Sequence, residues 1–462
     1  MKHEPPAELN LPRPDAGLFA PAAGRAGRLL RVLGVTFGLA VAVGNTVGAG
    51  ILRTPGEVAA QLPGVWLMMG AWAAGGLYAL LGANSVAELG TMMPRSGGQY
   101  VFARRALGPY AGFVVGWSDW VSTCGSAAAV ALVIGEYAGV LAPPLAPHAA
   151  ALAAGVVLAF AALQWRGINW GSGAQNLTSL LKALAFVAFI AACVAWGGGG
   201  ALARAGEPAA ASSGAPLLLA LTVALQAVVY TYDGWTGVIY FSEEVREPAR
   251  DIPRSLFGGV LAVTAIYLLF NLALLYVLPV ERLAGETLAA GAAASALFGA
   301  RGDTLIRALT IVALLSAVNA LLLIATRVPF AMGRDRLFPA RAVRVNAGGT
   351  PTVALLFSAA ATLLFLLSGS FNQVIAVLAF FFVANYAVSF TAVFVLRRRE
   401  PDAPRPFRAW GYPFTTALAL AGSLAFLAGA AATDTRNSLY ALALLGLSYP
   451  AYLLVRNKSR EA

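Results

Sequence analysis

Apolar positions in this chain run together in long blocks, where a soluble helix or strand would alternate them with polar ones. After residue 28 the blocks are mostly of roughly 18 to 25 residues, the first and third longer, and are separated by short segments rich in Gly, Pro and Arg. A helix rises about 1.5 Å per residue and the hydrocarbon layer of a bilayer is about 30 Å thick, so each block is long enough to cross it. Twelve spans are expected, at 29–60, 64–90, 110–142, 149–165, 174–196, 216–241, 255–278, 304–331, 352–369, 372–396, 413–432 and 438–455. No polar block between them is long enough to fold by itself. Residues 1–28 carry Pro, Ala and charge without the continuous apolar run of a cleavable signal, and read as a short cytoplasmic tail.

Composition agrees with a lipid solvent: mean hydropathy is +0.73, and 59% of residues are hydrophobic against 11% charged. The positions of the 32 Lys and Arg residues test the span count, because basic residues collect on the cytoplasmic side. With both termini inside, and with Arg31 and Arg307 counted at the span ends where they lie, 24 fall on that side, five on the other (Arg204, Arg282, Arg301, Arg307, Arg436) and three deeper within spans (Arg53, Lys182, Arg327). The net charge of +11 is thereby explained by membrane topology, and a nucleic-acid partner is not expected. Inner-membrane localisation, with both termini cytoplasmic, follows as the expectation. The two cysteines, Cys124 and Cys193, lie inside apolar runs and do not suggest a disulfide framework. Histidine occurs only at His3 and His148, both outside the spans, and neither HExxH nor GxSxG is present. An enzyme, a metal site and a cofactor are therefore not expected.

Two spans interrupt their own helical pattern. The first contains GNTVGAGIL, with Gly44, Gly48 and Gly50, followed by Pro55 and Gly56. The sixth contains YTYDGWTG, Tyr230 to Gly237, which sets Asp233, Gly234 and Gly237 at membrane depth. A charge and two glycines are costly on a lipid-facing helix, so irregular backbone there must face protein or water. Close helix packing of the small-xxx-small kind is the alternative for Gly44 and Gly48. The interruptions are about 186 residues apart, roughly five helices, so spans one to five and six to ten fit two inverted copies of one unit. That is the arrangement of LeuT-type secondary transporters, whose half-helix ends meet at the bilayer midplane. The expected fold is thus all-α with twelve transmembrane helices: a 5+5 inverted repeat over 29–396, with helices 1 and 6 broken. Two extra helices and a short tail follow at 397–462.

Five strings carry a family resemblance: GNTVGAGILRTPG, AELGTMMPRSGGQYVFARRALGP, QNLTSLLKALAF, YDGWTGVIYFSEEVREPARDIPRSL and RVPFAMGRDRLFPARAVRVNAGGTP. They resemble consecutive signatures of the amino acid–polyamine–organocation superfamily. The fourth is especially similar to the L-type amino acid transporter branch and its bacterial serine/threonine exchanger relatives. The resemblance implies a carrier of L-amino acids, neutral ones first, with cationic amino acids or polyamines as the alternative. A sensor on the same fold is a further alternative, although only RNKSREA follows Val455. A channel would want a continuous polar lining rather than two isolated breaks.

By the same resemblance, the substrate α-carboxylate would lie on the backbone amides of Gly48, Ala49 and Gly50, where the positive end of a half-helix suits an anion. The α-ammonium would be held by carbonyls freed at Thr46 and Val47 and at Tyr230, Thr231 and Asp233. Ala49 departs from the family, since many relatives carry serine there and gain a hydroxyl contact. Lys182 lies deep in span five. Sodium-coupled members of the wider fold have a cation site near this position, and relatives with a lysine use its ammonium instead. Sodium dependence is therefore disfavoured, and proton coupling and uncoupled exchange both stay open; the plain alternative is a lysine that snorkels to an interface.

Asp233 has three readings: ammonium acceptor, receptor for a cationic side chain, or helix cap. Gly234 would supply a hinge, and Trp235 would either close over the substrate or only pack. Asp119, Arg53 and Arg327 would pair with neighbours or line the path. Glu88, Glu243 and Glu244, near Arg95, Arg104 and Arg105 in topology, would form an inner gate of ion pairs or remain solvated loop charges. The loop APPLAPHA after span three lacks the cysteine that animal relatives use to join a partner, so no disulfide-linked subunit is expected; self-association is unreadable.

Overall fold

The computed structural model describes residues 29–62, 64–199, 216–367, 371–433 and 435–461, with 371–379 and 457–461 described by their backbone alone. The expected amino-terminal tail 1–28 and Arg204 lie outside the described residues. Sixteen α-helices are present among the described residues. They are α1 (Val35–Thr46), α2 (Ala49–Gln61), α3 (Val65–Met92), α4 (Gln99–Leu107), α5 (Pro109–Leu141), α6 (Ala149–Arg166), α7 (Ile168–Trp196) and α8 (Leu217–Tyr232). There follow α9 (Pro248–Val277), α10 (Val280–Leu283), α11 (Ala289–Phe298), α12 (Arg301–Arg334), α13 (Thr352–Leu367), α14 (Phe371–Arg399), α15 (Phe414–Thr433) and α16 (Thr435–Glu461).

Ten of the spans these helices form are long and apolar enough to cross a membrane, and α1 with α2 makes an eleventh if the pair is one span bent by 48°. Each block expected from the sequence falls on a helix or an interrupted helix, although α13, with 16 residues, is shorter than a full crossing. Three short helices were not anticipated. In α4, the sequence QYVFARRAL buries Tyr100, Val101, Phe102 and Ala106 and leaves Arg104 and Arg105 partly exposed. The four-residue α10 and the small-residue α11 lie in the connection before α12 and pack against α2.

Burial separates an inner set of helices from an outer one. In α12, 72% of the apolar window is buried inside the protein, against 11% in the span that contains α6. On α7 the two faces follow the helical period. Gln175, Ser179, Lys182, Phe186, Phe189 and Cys193 are buried, while Leu177, Leu180, Leu181, Leu184 and Val187 are exposed. Lys182 is thereby aimed into the bundle and away from lipid. The interrupted first span is enclosed by α7, α9 and α12, and it touches the interrupted span that follows α8.

At the arginine-rich end the connections are tied to one another. Leu33 pairs with Val245 through a parallel bridge, with Leu33 N donating to Glu244 O at 2.9 Å and Arg246 N to Leu33 O at 2.8 Å. The 3-10 turn Pro143–His148 follows α5 at the other end.

Candidate functional site

The first interruption is two residues long. Val47 is extended (φ −77°, ψ 96°), and Gly48 caps α2 with φ −135° and ψ −148°. No side chain caps α2, so its first backbone N–H groups have no helical acceptor. In the second interruption, α8 ends at Tyr232, Asp233 is extended, and Gly234 adopts φ +113° before a 3-10 segment, Trp235–Phe241. That φ belongs to the left-handed region open to glycine, and a Cβ at Gly234 would also meet Asn45 Nδ2 at 2.8 Å.

Side chains bind the interruptions together. Asn45 Nδ2 donates to Gly234 O at 3.3 Å. The Tyr267 hydroxyl, from α9, is 2.8 Å from both Thr46 O and Thr231 O, with a single hydrogen to share between one carbonyl of each break. The hydroxyls of Thr54 and Thr231 lie 2.9 Å apart and join α2 to α8. Lys182 Nζ donates to Gly44 O at 2.8 Å and to Val47 O at 2.5 Å, with its side chain fully buried. Beside it, Gln175 Nε2 and the Ser179 hydroxyl donate to Ala40 O at 3.2 and 2.7 Å, and both reach Ser316 of α12. Gly44 is held in this cluster, since a Cβ would collide with the Gln175 side chain; its role is close packing, the alternative weighed for that glycine.

A cavity of about 460 Å³ lies between the interruptions. Of the residues proposed from the sequence, Thr46, Gly48, Ala49, Gly50, Tyr230, Thr231, Asp233 and Gly234 line it. Val47, Trp235 and Lys182 do not. Val47 is buried, with its carbonyl taken by Lys182. Trp235 stacks on Tyr386 with ring centroids 5.3 Å apart, behind the wall that Tyr386 presents to the cavity. Thr46 O and Thr231 O share the one Tyr267 hydrogen, Val47 O accepts from Lys182 and Tyr230 O from Asp233 N, while the half-buried Asp233, whose carboxylate accepts from the Tyr386 hydroxyl, lines the cavity.

Arg53 and Glu57, both exposed, form the mouth, and Arg53 Nε reaches Thr287 O at 3.4 Å. Asp119, 3% exposed, lines the opposite, closed end and accepts from the Tyr240 hydroxyl.

Beyond that closed end stand the ion pairs, with partners that differ from those expected. Glu244 pairs with Arg327 by two bonds of 3.0 and 2.9 Å, both side chains buried, so Arg327 does not line the path. Glu88 is bound by Arg397 at 2.8 and 2.6 Å and by Arg405 at 3.2 Å; Glu243 pairs with Arg334 at 2.8 Å. Arg95 and Arg104 reach Asp335 at 3.3 Å each, and Arg105 reaches Glu400 at 2.6 Å. The expected partners were neighbours in topology, but the buried Glu244 takes Arg327 of α12, and the buried Glu88 takes Arg397 of α14 and Arg405 of the connection that follows it. Tyr240, Tyr267 and Tyr386 were missed altogether, because an aromatic in an apolar span carries no local signal of its hydroxyl's partner.

A bundle of membrane-crossing helices, interrupted twice around one cavity that is open at one end and sealed by buried ion pairs at the other, defines a membrane transporter. Its sequence is more specific: residues 29–448 match the amino acid permease family. The chain belongs to that family, within the amino acid–polyamine–organocation superfamily, and is a multi-pass integral membrane protein of amino acid transport. It is 30% identical over 434 residues to the serine/threonine exchanger SteT of Bacillus subtilis, covering 92% of this chain and 96% of that protein. It is 27% identical over 391 residues to the mouse b(0,+)-type amino acid transporter 1, covering 82% and 79% respectively. It is 26% identical over 401 residues to the human large neutral amino acids transporter small subunit 2, covering 85% and 75%.

Proposed function

We propose that this protein exchanges L-amino acids, neutral ones first, across the plasma membrane by alternating access and without sodium. The observation that carries this reading is the pairing, across one cavity, of the uncapped amino end of α2 with the Asp233 carboxylate. An α-carboxylate suits the former and an α-ammonium the latter. The fold proposed with it has twelve crossings, built as a 5+5 inverted repeat over 29–396 followed by two more helices. With both termini in the cytoplasm, the mouth at Arg53 and Glu57 faces outward, and the ion pairs of Glu244, Glu88 and Asp335 seal the inward path. Lys182 stands where a coupling cation would otherwise bridge the first break to its neighbours. Both cysteines are buried, in keeping with a chain that works without a disulfide-linked subunit.

The test is competition in proteoliposomes. Amines that lack the α-carboxylate, and N-acetylated amino acids that lack the ammonium, are expected to compete at least about tenfold more weakly than the parent amino acid, the scale of one charge-assisted contact. Equal competition by the decarboxylated amines would remove the carboxylate from α2 and favour an amine substrate.

A further inference from the structure

We propose that the arginine-rich end carries a binding site for an anionic phospholipid, formed where the start of α9 meets the connection between α14 and α15, with Arg254 and Arg408 holding the headgroup phosphate. The site lies apart from the cavity and goes beyond the transport reading. Its floor is an aromatic stack. Phe257 of α9 lies against Trp410 with ring centroids 4.9 Å apart and planes 15° apart, and Phe407 packs on the two at 5.8 and 5.4 Å. Trp410 is 64% exposed. Arg254 stands one helical turn before Phe257, and Arg408 stands between Phe407 and Trp410, so the stack brings the two arginines to one place. Both are exposed, and neither side chain makes a hydrogen bond or an ion pair among the described residues.

The charge around the stack is one-sided. Over 246–257 and 397–413, Glu247 and Asp251 are paired with Arg250, and Glu400 with Arg105. Arg246, Arg254, Arg398, Arg399 and Arg408 have no ion pair among the described residues, against the single unpaired acid Asp402. The depth also suits a headgroup. No charged residue follows Arg254 until Glu281, and none follows Arg408 until Asp434. Both arginines thus stand where the chain enters the apolar layer, the level at which basic and aromatic side chains meet lipid phosphate. Leu261 of α9 and Phe414 and Leu418 of α15, all exposed, offer apolar surface to acyl chains. A phosphodiester gives the two guanidinium groups a pair of anionic oxygens to accept their N–H donors. A choline headgroup would set a cation beside the same arginines, and a glycerol headgroup would not. The bound lipid would clamp α9 to the 407–410 segment, which is itself fixed to α3: Trp410 N donates to Asn84 Oδ1 at 2.9 Å, and Ala409 N to Glu88 Oε2 at 2.8 Å.

The melting temperature of the purified protein in nonionic detergent, titrated with dioleoyl phosphatidylglycerol or dioleoyl phosphatidylcholine, decides the matter. Phosphatidylglycerol is expected to raise it by several degrees and phosphatidylcholine by less. Arg254→Gln and Arg408→Gln should each raise the half-saturating phosphatidylglycerol concentration about fivefold, the scale of one basic residue near an anionic headgroup. The double change should bring the two lipids level. Arg398→Gln, which removes an exposed arginine that adjoins none of these rings in sequence, should leave the half-saturating concentration unchanged. An equal loss from Arg398→Gln would mean diffuse attraction to the whole surface and overturns the site. An equal rise with both lipids on the wild-type protein overturns it too. Inorganic phosphate that reproduces the rise overturns the lipid and leaves a site for a free anion. If the double variant is not recovered folded, the two single changes decide by the same concentration, and a value unchanged in both overturns the proposal.

Discussion

Gly50→Val is expected to reduce uptake to background while leaving the amount of folded protein in the membrane unchanged. A Cβ at Gly50 would stand 3.1 Å from Thr231 Cγ2 and 3.3 Å from Thr231 Oγ1, closer than side chains ordinarily pack. Overpacking of this kind costs about 1–3 kcal/mol, less than the roughly 5–15 kcal/mol by which folded proteins are stable, so the fold survives. The two further methyls of valine have the cavity to enter, and they cover the uncapped amino end of α2. Gly48 provides a contrast. A Cβ there finds only Leu314 Cδ2, at 3.9 Å, so Gly48→Ala should fold without strain and act by occupying the cavity alone. Uptake by each variant, normalised to monodisperse protein on a sizing column, checks this; normal uptake by Gly50→Val would exclude α2 from the substrate site.

Breaking the Arg327–Glu244 pair should cost more stability than any other single charge removal at the sealed end. Both side chains are at most 1% exposed, and Arg327 also lies over the Phe241 ring at 4.8 Å. Removing one partner of such a pair costs about 3–5 kcal/mol, chiefly because the other charge is left buried and unpaired. Glu244→Met is therefore expected to lower the melting temperature of the purified protein sharply. The double change Glu244→Met with Arg327→Met should recover much of the loss, since it removes the orphaned charge as well. By contrast, Arg105→Ala, which breaks a pair in which both side chains are about a third exposed, should alter stability by about 1 kcal/mol or less. Equal losses from the two single changes would mean that Arg327 and Glu244 are hydrated and form no seal.

The sequence speaks most clearly where backbone is the signal. GNTVGAGIL and YTYDGWTG point to the two interruptions because glycine and aspartate are expensive inside an apolar helix, and the helices stop within a few residues of the expected places. Lys182, read as lying deep in span five, is fully buried on the inner face of α7. What was illegible depends on partners distant in the chain. Tyr267 sits in the ordinary apolar string IYLLFNLALLYV, and nothing local says that its hydroxyl meets carbonyls 221 and 36 residues away. Glu88 looks like a loop charge until Arg397, 309 residues on, is folded against it. Short amphipathic pieces such as α4 escape a reading keyed to membrane-length blocks. Gly44, Gly48 and Gly50 look equivalent as letters, yet one packs against α7, one caps α2 and one adjoins Thr231.

Lys182 sets Nζ against the carbonyls of Gly44 and Val47, and when protonated it would repel a second cation within about 4 Å by about 4 kcal/mol at an effective dielectric of 20. The most direct measurement is uptake of labelled amino acid into proteoliposomes, loaded or not with unlabelled amino acid, with external sodium replaced by potassium or choline. The account predicts uptake that depends on internal amino acid and proceeds at the same rate in all three salts. Uptake that rises steeply and saturably with sodium, and continues into vesicles empty of amino acid, would contradict it.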